Sequence, residues 1–183
     1  MAGLETMREH DRRVLLLAIG FCLFLAAVDQ TIISTALPSI LDQIGSIQDV
    51  SLIINSYLVA SVTFGPIYGK LSDVFGRRNI LILAILFFLL GSILATLGNS
   101  PIELAGARFI QGIGGGGLFV LAFTIASDLA APRNRGKIQG LFASVFGLAS
   151  ISGPFFGGLI LEYLDWRWIF YFKIPFSIFS LLI

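Results

Sequence analysis

The chain has 183 residues, of which 56% are hydrophobic and only 13% charged, and its mean hydropathy is +0.92. Soluble domains are about one quarter charged, so this composition argues against an ordinary globular enzyme. The formal net charge of +1 gives no support for a nucleic-acid partner, and we expect none.

Residue types that bind metals or perform nucleophilic catalysis are scarce. Cys22 is the only cysteine and cannot form an internal disulfide or a cysteine metal cluster. His10 is the only histidine and lies in the polar N-terminal tail, so a histidine metal site or a Ser-His-acid set is not expected. We therefore expect no enzyme activity, no metal and no cofactor.

Charged residues are missing from five long segments, at 14–28, 50–69, 79–102, 109–127 and 138–161. A helix needs about 20 apolar residues to cross a bilayer. Lipid cannot hydrogen-bond an open backbone, so spanning segments are helices or closed barrels. Barrel strands alternate over about 10 residues, and these segments do not alternate. The pattern predicts an all-α polytopic membrane protein.

Six helices are predicted in chain order. The first apolar run continues past Asp29, so we interpret it as an uncleaved span rather than a signal peptide. A turn cluster at 98–101 separates the third helix from the fourth. The predicted spans are 14–36, ending near Pro38, then 51–69, 80–97, 102–127 and 138–162, with a sixth helix beginning near Trp168.

Lysine and arginine alternate between the two sides of this arrangement. The tail 1–13, the loop after helix 2 and the loop after helix 4 carry them, whereas the loops after helices 1 and 3 carry none and the last loop only Arg167. The positive-inside rule then predicts a cytoplasmic N-terminus. We expect a multi-pass protein of the plasma membrane, with a vacuolar or other organellar membrane as the alternative.

An internal repeat links the two halves of the predicted bundle. Residues 65–71 and 153–159 share the pattern G-P-x-x-G-x-L. The offset between these two segments also separates the start of helix 1 from the start of helix 4, and the start of helix 3 from the start of helix 6. This predicts repeat one at about 14–97 and repeat two at about 102–183. Each unit has three helices, so the second is inverted, as in many secondary transporters. The offset would carry helix 6 beyond Ile183, so we expect a truncated helix 6.

Several motifs resemble those of one transporter superfamily. Residues 69–78 read GKLSDVFGRR, which resembles the loop G-x-L-a-D-r-x-G-R-[KR] of the major facilitator superfamily. Residues 108–116 read RFIQGIGGG and resemble its motif R-x-x-Q-G-x-G-x-[AG]. The resemblance implies the N-terminal six-helix half of a major facilitator fold, a 3+3 inverted repeat without its C-terminal half.

Three further segments resemble drug exporters within that superfamily. Residues 147–158 are similar to the G-P-x-x-G-G motif of drug antiporters. Residues 29–40 and 165–171 resemble the L-D-x-T-I-V-x-x-A-L-P-x-I and W-R-W-x-F segments of the fourteen-helix drug:proton antiporter family. One departure is Lys173, which stands where that family usually has asparagine and which we assign to the outer start of helix 6.

Asp29 and Arg108 are the candidate proton-coupling residues. Asp29 is predicted to lie roughly 6 Å from the midplane, and Arg108 at a similar depth on helix 4. Intramembrane charges are costly and normally face a cavity or a partner. Burial favours a protonated Asp29, whereas a nearby Arg108 favours the carboxylate. The alternative is a static ion pair between helices 1 and 4.

The other polar and glycine positions have functional or structural interpretations. Gln111 lies on the same helical face as Arg108 and would bind substrate, fix the guanidinium or join two helices. Glu103 is expected to be a solvated interfacial charge. The helix 5 glycines are expected to allow close helix packing, and Pro154 to kink the helix. The positions assigned to this packing are Gly147, Gly153, Pro154, Gly157 and Gly158.

The charged loops of the basic side are the candidate cytoplasmic gate. The resemblance implies that their charges pair when this side closes, while the alternative is that the arginines only set the topology. The gate positions are Gly69, Asp73, Gly76, Arg77, Arg78, Asp128 and Arg133.

These observations lead to one main functional expectation. We expect a proton-coupled antiporter that exports drugs or other small amphipathic solutes, using the proton gradient and no cofactor. The expected partners are the lipid bilayer, a small-molecule substrate and the missing C-terminal helices. The alternatives are a transporter of amino acids or other solutes with the same fold, and a transport-inactive membrane fragment or receptor.

Overall fold

The structure is a computed structural model that describes residues 9–129 and 135–182, with side chains described for 16–128 and 136–181. These ranges contain helices and no strand. The helices are α1 (Glu9–Ile44), α2 (Val50–Phe75), α3 (Arg77–Leu97), α4 (Pro101–Leu129), α5 (Arg135–Tyr163), α6 (Trp168–Tyr171) and α7 (Lys173–Leu182), with a 3₁₀ turn at Ile47–Asp49.

Five of these helices are long and apolar enough to cross a membrane, and Trp168–Leu181 forms a shorter apolar segment. The prediction of an all-helical polytopic protein is therefore confirmed. The charge-free stretches located the helices because a charge inside lipid is costly. They underestimate helix lengths, since helices continue beyond the apolar core into their charged ends.

The predicted end of the first helix near Pro38 is wrong. The helix continues to Ile44 with Pro38 inside it. Proline removes one backbone hydrogen bond, but membrane helices tolerate this loss where neighbouring groups compensate. Ile40, two residues beyond, is fully buried in the apolar core, so packing holds the last turns in place.

The second helix is also longer than predicted, and Gly76 explains where it ends. Helix α2 extends to Phe75, and Gly76 then has φ of +88°, which L side chains rarely adopt. Helix α3 starts at the next residue. The chain therefore reverses at a single glycine, and the basic residues around it are held at one end of the bundle, called the basic end below.

Helix α4 is the central helix of the bundle, packed mainly on α2 and α3, while α1 packs mainly on α5. The contacts of α4 require glycine. A Cβ at Gly112 or Gly116 would overlap the backbone of α2, and one at Gly114 would overlap the backbone of α3 at Ala84 and Phe88. Helices in lipid are not driven together by the hydrophobic effect, so their association depends on close packing, which small residues allow.

Two apolar clusters fill the bundle, and a polar layer lies between them. One cluster includes Ile19, Phe88 and Phe142, towards the basic end. The other includes Ile32, Leu104 and Trp166, towards the opposite end. Helices α1, α3 and α4 run through both clusters, so polar residues midway along them are forced into contact with one another.

The close approach of α4 gives a first prediction. Gly114→Ala should lower the free energy of unfolding by about 1–3 kcal/mol, because the added methyl group meets backbone rather than a movable side chain. Gly106→Ala, on the same helix with open space beside it, is the matched control and should be neutral or stabilising by about 0.5–1 kcal/mol. Thermal unfolding in detergent compares them, and equal effects would contradict the packing described for α4.

Candidate functional site

The polar layer contains three buried charges from three helices. Asp29 on α1, Arg108 on α4 and Lys173 at the start of α7 each have at most 1% of their surface exposed. Among the described side chains, these are the only buried charged ones. A buried charge is stable only when it is paired and hydrogen-bonded, so the three must be considered together.

Arg108 and Gln111 both bind the Asp29 carboxylate. Arg108 Nη1 donates to Asp29 Oδ2 at 2.8 Å and to Gln111 Oε1 at 2.6 Å. Gln111 Nε2 donates to Asp29 Oδ1 at 3.0 Å and to Ser92 Oγ at 2.8 Å. Ser92 in turn donates to the Phe88 carbonyl. The structure therefore brings together all three predicted coupling residues and adds Ser92 of α3.

Lys173 is the residue that the sequence interpretation missed. Its Nζ forms an ion pair with Asp29 Oδ1 and lies 4.3 Å from the centre of the Phe170 ring. The sequence places it at the outer start of the sixth helix. The structure instead breaks this helix into α6 and α7 and buries Lys173 in the core. Its distance in sequence from Trp168 resembles that of Arg108 from the start of helix 4, which is the signal that could have identified it.

The guanidinium of Arg108 also stacks on an aromatic ring. Its Cζ lies 4.2 Å from the centre of the Tyr57 ring on α2. Gly115 makes room for this ring, since a Cβ there would lie 2.8 Å from Tyr57 Cζ. A cation over a ring face gains electrostatic stabilisation in a dry environment. Within the described part of the chain, Arg108 Nε has no hydrogen-bond acceptor.

A second group of charges lies at the basic end. Arg77 forms ion pairs with Asp73 at 2.8 Å and with Asp128 at 3.1 Å, and its Nη1 also donates to Ser72. Ser72 donates to the carbonyl of Gly69 at 2.7 Å. Arg77 thus joins the end of α2, the start of α3 and the end of α4.

The remaining gate positions are less closely connected. Arg78 is exposed, Gly76 forms the turn described above, and Arg133 lies outside the described residues. Since Asp128, Asp73 and Arg77 are partly exposed, each pair is expected to contribute little to stability alone.

The glycines assigned to helix 5 packing divide into two sets. Gly153 and Gly157 face α1, where a Cβ would overlap Thr31 or lie 3.1–3.2 Å from Ile32 and Thr35. Thr31 Oγ1 donates to the Ala149 carbonyl at 3.1 Å, which joins α1 to α5 two residues from Asp29. Gly147 and Gly158 have open space beside them.

Pro154 lies inside α5, and the helix continues through it to Tyr163. Glu103 is exposed at the start of α4, where its Oε2 accepts the Asn99 N–H at 2.8 Å. The carboxylate therefore satisfies an N–H group at the turn before the helix, a position that also suits its negative charge. Glu103 takes no part in the buried cluster.

Comparisons with known proteins identify the fold and the family. The model of the Major Facilitator Superfamily matches residues 19–183. The chain belongs to this superfamily. The chain is 39% identical over 176 residues to "Multidrug resistance protein 3" of Bacillus subtilis (strain 168), which covers 96% of this chain and 34% of that protein. It is 35% identical to "Multidrug transporter protein MdtP" of the same organism, over 96% of this chain and 32% of that one.

The chain therefore spans about a third of the length of these superfamily relatives. Among solved structures, the proton:xylose symporter XylE superposes with a TM-score of 0.81 at 20% identity, over 93% of this chain and 43% of that chain. An inward-open structure of XylE from E. coli superposes with a TM-score of 0.73. The superpositions confirm the expected fold, and the family excludes an enzyme, as predicted.

The buried cluster gives a second prediction. Asp29→Asn should destabilise the protein by about 3–5 kcal/mol, because it leaves Arg108 and Lys173 buried without a counter-charge. Lys173→Gln should cost less, about 1–2 kcal/mol, since Asp29 keeps its bond to Arg108. Thermal unfolding of the single and double variants measures this coupling. Additive effects would contradict a shared cluster.

Proposed function

We propose that this chain forms the N-terminal half of a secondary active transporter that exchanges protons for drugs or other small amphipathic solutes. The buried Asp29–Arg108 pair carries the proposal, because Asp29 is the one buried carboxylate among the described side chains and can accept a proton inside an apolar bundle. The printed names of two relatives, a multidrug resistance protein and a multidrug transporter, support export of drugs. Fungal relatives named as efflux pumps support the same direction.

In the proposed cycle, a proton and Arg108 compete for the Asp29 carboxylate. In the unprotonated state the carboxylate accepts hydrogen bonds from Arg108 and Gln111, which joins α1 to α4. A proton on Asp29 removes the charge that holds Arg108, so the two helices can separate and the guanidinium becomes available to another partner. Proton release restores the pair. The exchange thus links protonation to a change in helix packing.

The basic end supplies the proposed gate on the cytoplasmic side. Arg77 connects α2, α3 and α4 there through Asp73, Asp128 and Ser72. Because α4 carries both Arg108 and Asp128, displacement of this helix would disturb both groups together. The proposed partners are the lipid bilayer, the solute and the C-terminal helices of the same transporter.

The coupling proposal is tested in the full-length protein that contains these residues. Asp29→Asn removes the titratable group while keeping its shape, so transport driven by a pH gradient should be abolished. Counterflow exchange of labelled solute needs no net proton movement and should survive. Arg108→Lys keeps the charge but loses the planar fork, so it should weaken the response to external pH.

The measurement is uptake per folded molecule as a function of external pH in proteoliposomes. Glu103→Gln is the matched control, because it neutralises an exposed carboxylate on the same membrane segment as Arg108 and should keep the wild-type profile. An unchanged pH profile in Asp29→Asn would eliminate Asp29 as the proton carrier. It would then remain a structural partner of Arg108.

The orientation makes a separate prediction. In a background with Cys22→Ala, a cysteine replacing Arg78 at the basic end should react with a membrane-impermeant maleimide only after cells are permeabilised. A cysteine replacing Gln48, exposed in the turn between α1 and α2, should react in intact cells. The opposite labelling pattern would place the N-terminus outside the cytoplasm.

A further inference from the structure

The buried cluster contains more positive than negative charges. Arg108 and Lys173 supply two cations, and Asp29 is the single buried acid among the described side chains. The other acidic side chains in the described ranges lie at helix ends and are partly or fully exposed. The cluster therefore carries a formal charge of one positive unit in an apolar interior, where isolated charge is strongly disfavoured.

Three hydrogen bonds from the chain itself already reach the Asp29 carboxylate. Oδ1 accepts from Lys173 and from Gln111, and Oδ2 accepts from Arg108. A cationic solute that approached this carboxylate would have to displace a lysine that the chain itself supplies. Lys173 is held in place by its own helix, so it competes at a high local concentration.

The donors of the cluster, in contrast, exceed its acceptors. Arg108 Nε has no acceptor within the described residues. For Lys173, the described neighbours supply one carboxylate oxygen, while the ring of Phe170 lies against the ammonium. An anionic group would satisfy these donors and neutralise the surplus charge. The rings of Tyr57 and Phe170 each lie beside one cation and are buried, so they would contact the apolar body of an amphipathic molecule once the cluster opens.

We propose that Lys173 sets the charge selectivity of this site, so that the transporter accepts amphipathic solutes bearing a carboxylate in preference to cationic ones. Lys173 occupies the position at Asp29 that a cationic solute would take, and it adds the second cation that a carboxylate would bind. This inference rests on the proposed function, because it assumes that the cluster opens to solute during transport. It adds a substrate class and a specificity-determining residue to that function.

The test uses two probes that share a ring and differ in charge, 2-naphthoate and 2-naphthylmethylammonium. Binding of each labelled probe to the purified full-length protein is measured by equilibrium dialysis at neutral pH without a pH gradient, and unlabelled probe displaces the specific fraction. The wild type should bind the carboxylate at least about tenfold more tightly, since a charge-assisted bond exceeds the free energy of a tenfold ratio.

The variants separate charge from structure. Lys173→Gln keeps a donor near Asp29 but removes the charge, so the preference for the carboxylate should disappear through weaker naphthoate binding and stronger ammonium binding. Lys173→Arg keeps the charge and should keep the preference. Lys137→Gln, a matched loss of an exposed lysine, should match the wild type. Thermal unfolding of each sample establishes that the proteins compared are folded.

Three results would each overturn the inference: no preference in the wild type, a preference for the ammonium probe, or an unchanged ratio in folded Lys173→Gln. Because binding is measured at equilibrium without a pH gradient, it does not require proton-driven transport. Loss of the carboxylate preference in Lys173→Gln, together with normal pH-driven transport in Asp29→Asn, would support the selectivity role and reject Asp29 as the proton carrier. An unchanged ratio in Lys173→Gln, together with abolished pH-driven transport in Asp29→Asn, would do the reverse.

Discussion

The structure depends on one constraint, the burial of the Asp29 carboxylate in an apolar bundle. A carboxylate in such a place must be neutralised and hydrogen-bonded. Arg108 provides the counter-charge from α4, Gln111 provides a second donor, and Lys173 adds a cation from α7. Gln111 also reaches Ser92 on α3. Four helices are therefore positioned around a single acidic group.

Glycine packing makes this arrangement possible. Gly91 on α3 lies against the backbone of Gln111, where a Cβ would overlap it, so α3 and α4 approach closely at the level of the cluster. The close approach brings Ser92 within 2.8 Å of the Gln111 amide. Packing and electrostatics are thus interdependent. The glycines let the helix backbones approach closely, and polar side chains on those helices then form hydrogen bonds with one another.

The sequence predicts the helices well because charge is excluded from lipid, and it predicts the Asp29–Arg108 contact because both residues share a depth. It fails where tertiary packing overrides a local rule. Pro38 signals a helix end, but burial of Ile40 keeps the helix intact. Lys173 follows the charged turn at 165–167, and the sequence places it at the outer start of the sixth helix. Its burial depends on the break between α6 and α7, which no periodicity in the sequence reveals.

The pattern of helix packing explains why the cluster is suited to control motion. Helices α2, α3 and α4 are packed backbone to backbone through glycines, and α1 is joined to α5 through Thr31, Gly153 and Gly157. The Asp29–Arg108 bond crosses between these two units, and α4 is an uninterrupted helix from Arg108 to Asp128, about 30 Å long. In the proposed exchanger, a proton at Asp29 would weaken the contact between the units, and α4 would transmit their displacement to Arg77. A polar contact at such a boundary changes the relative position of two rigid groups, whereas the same contact within either group would only change its stability.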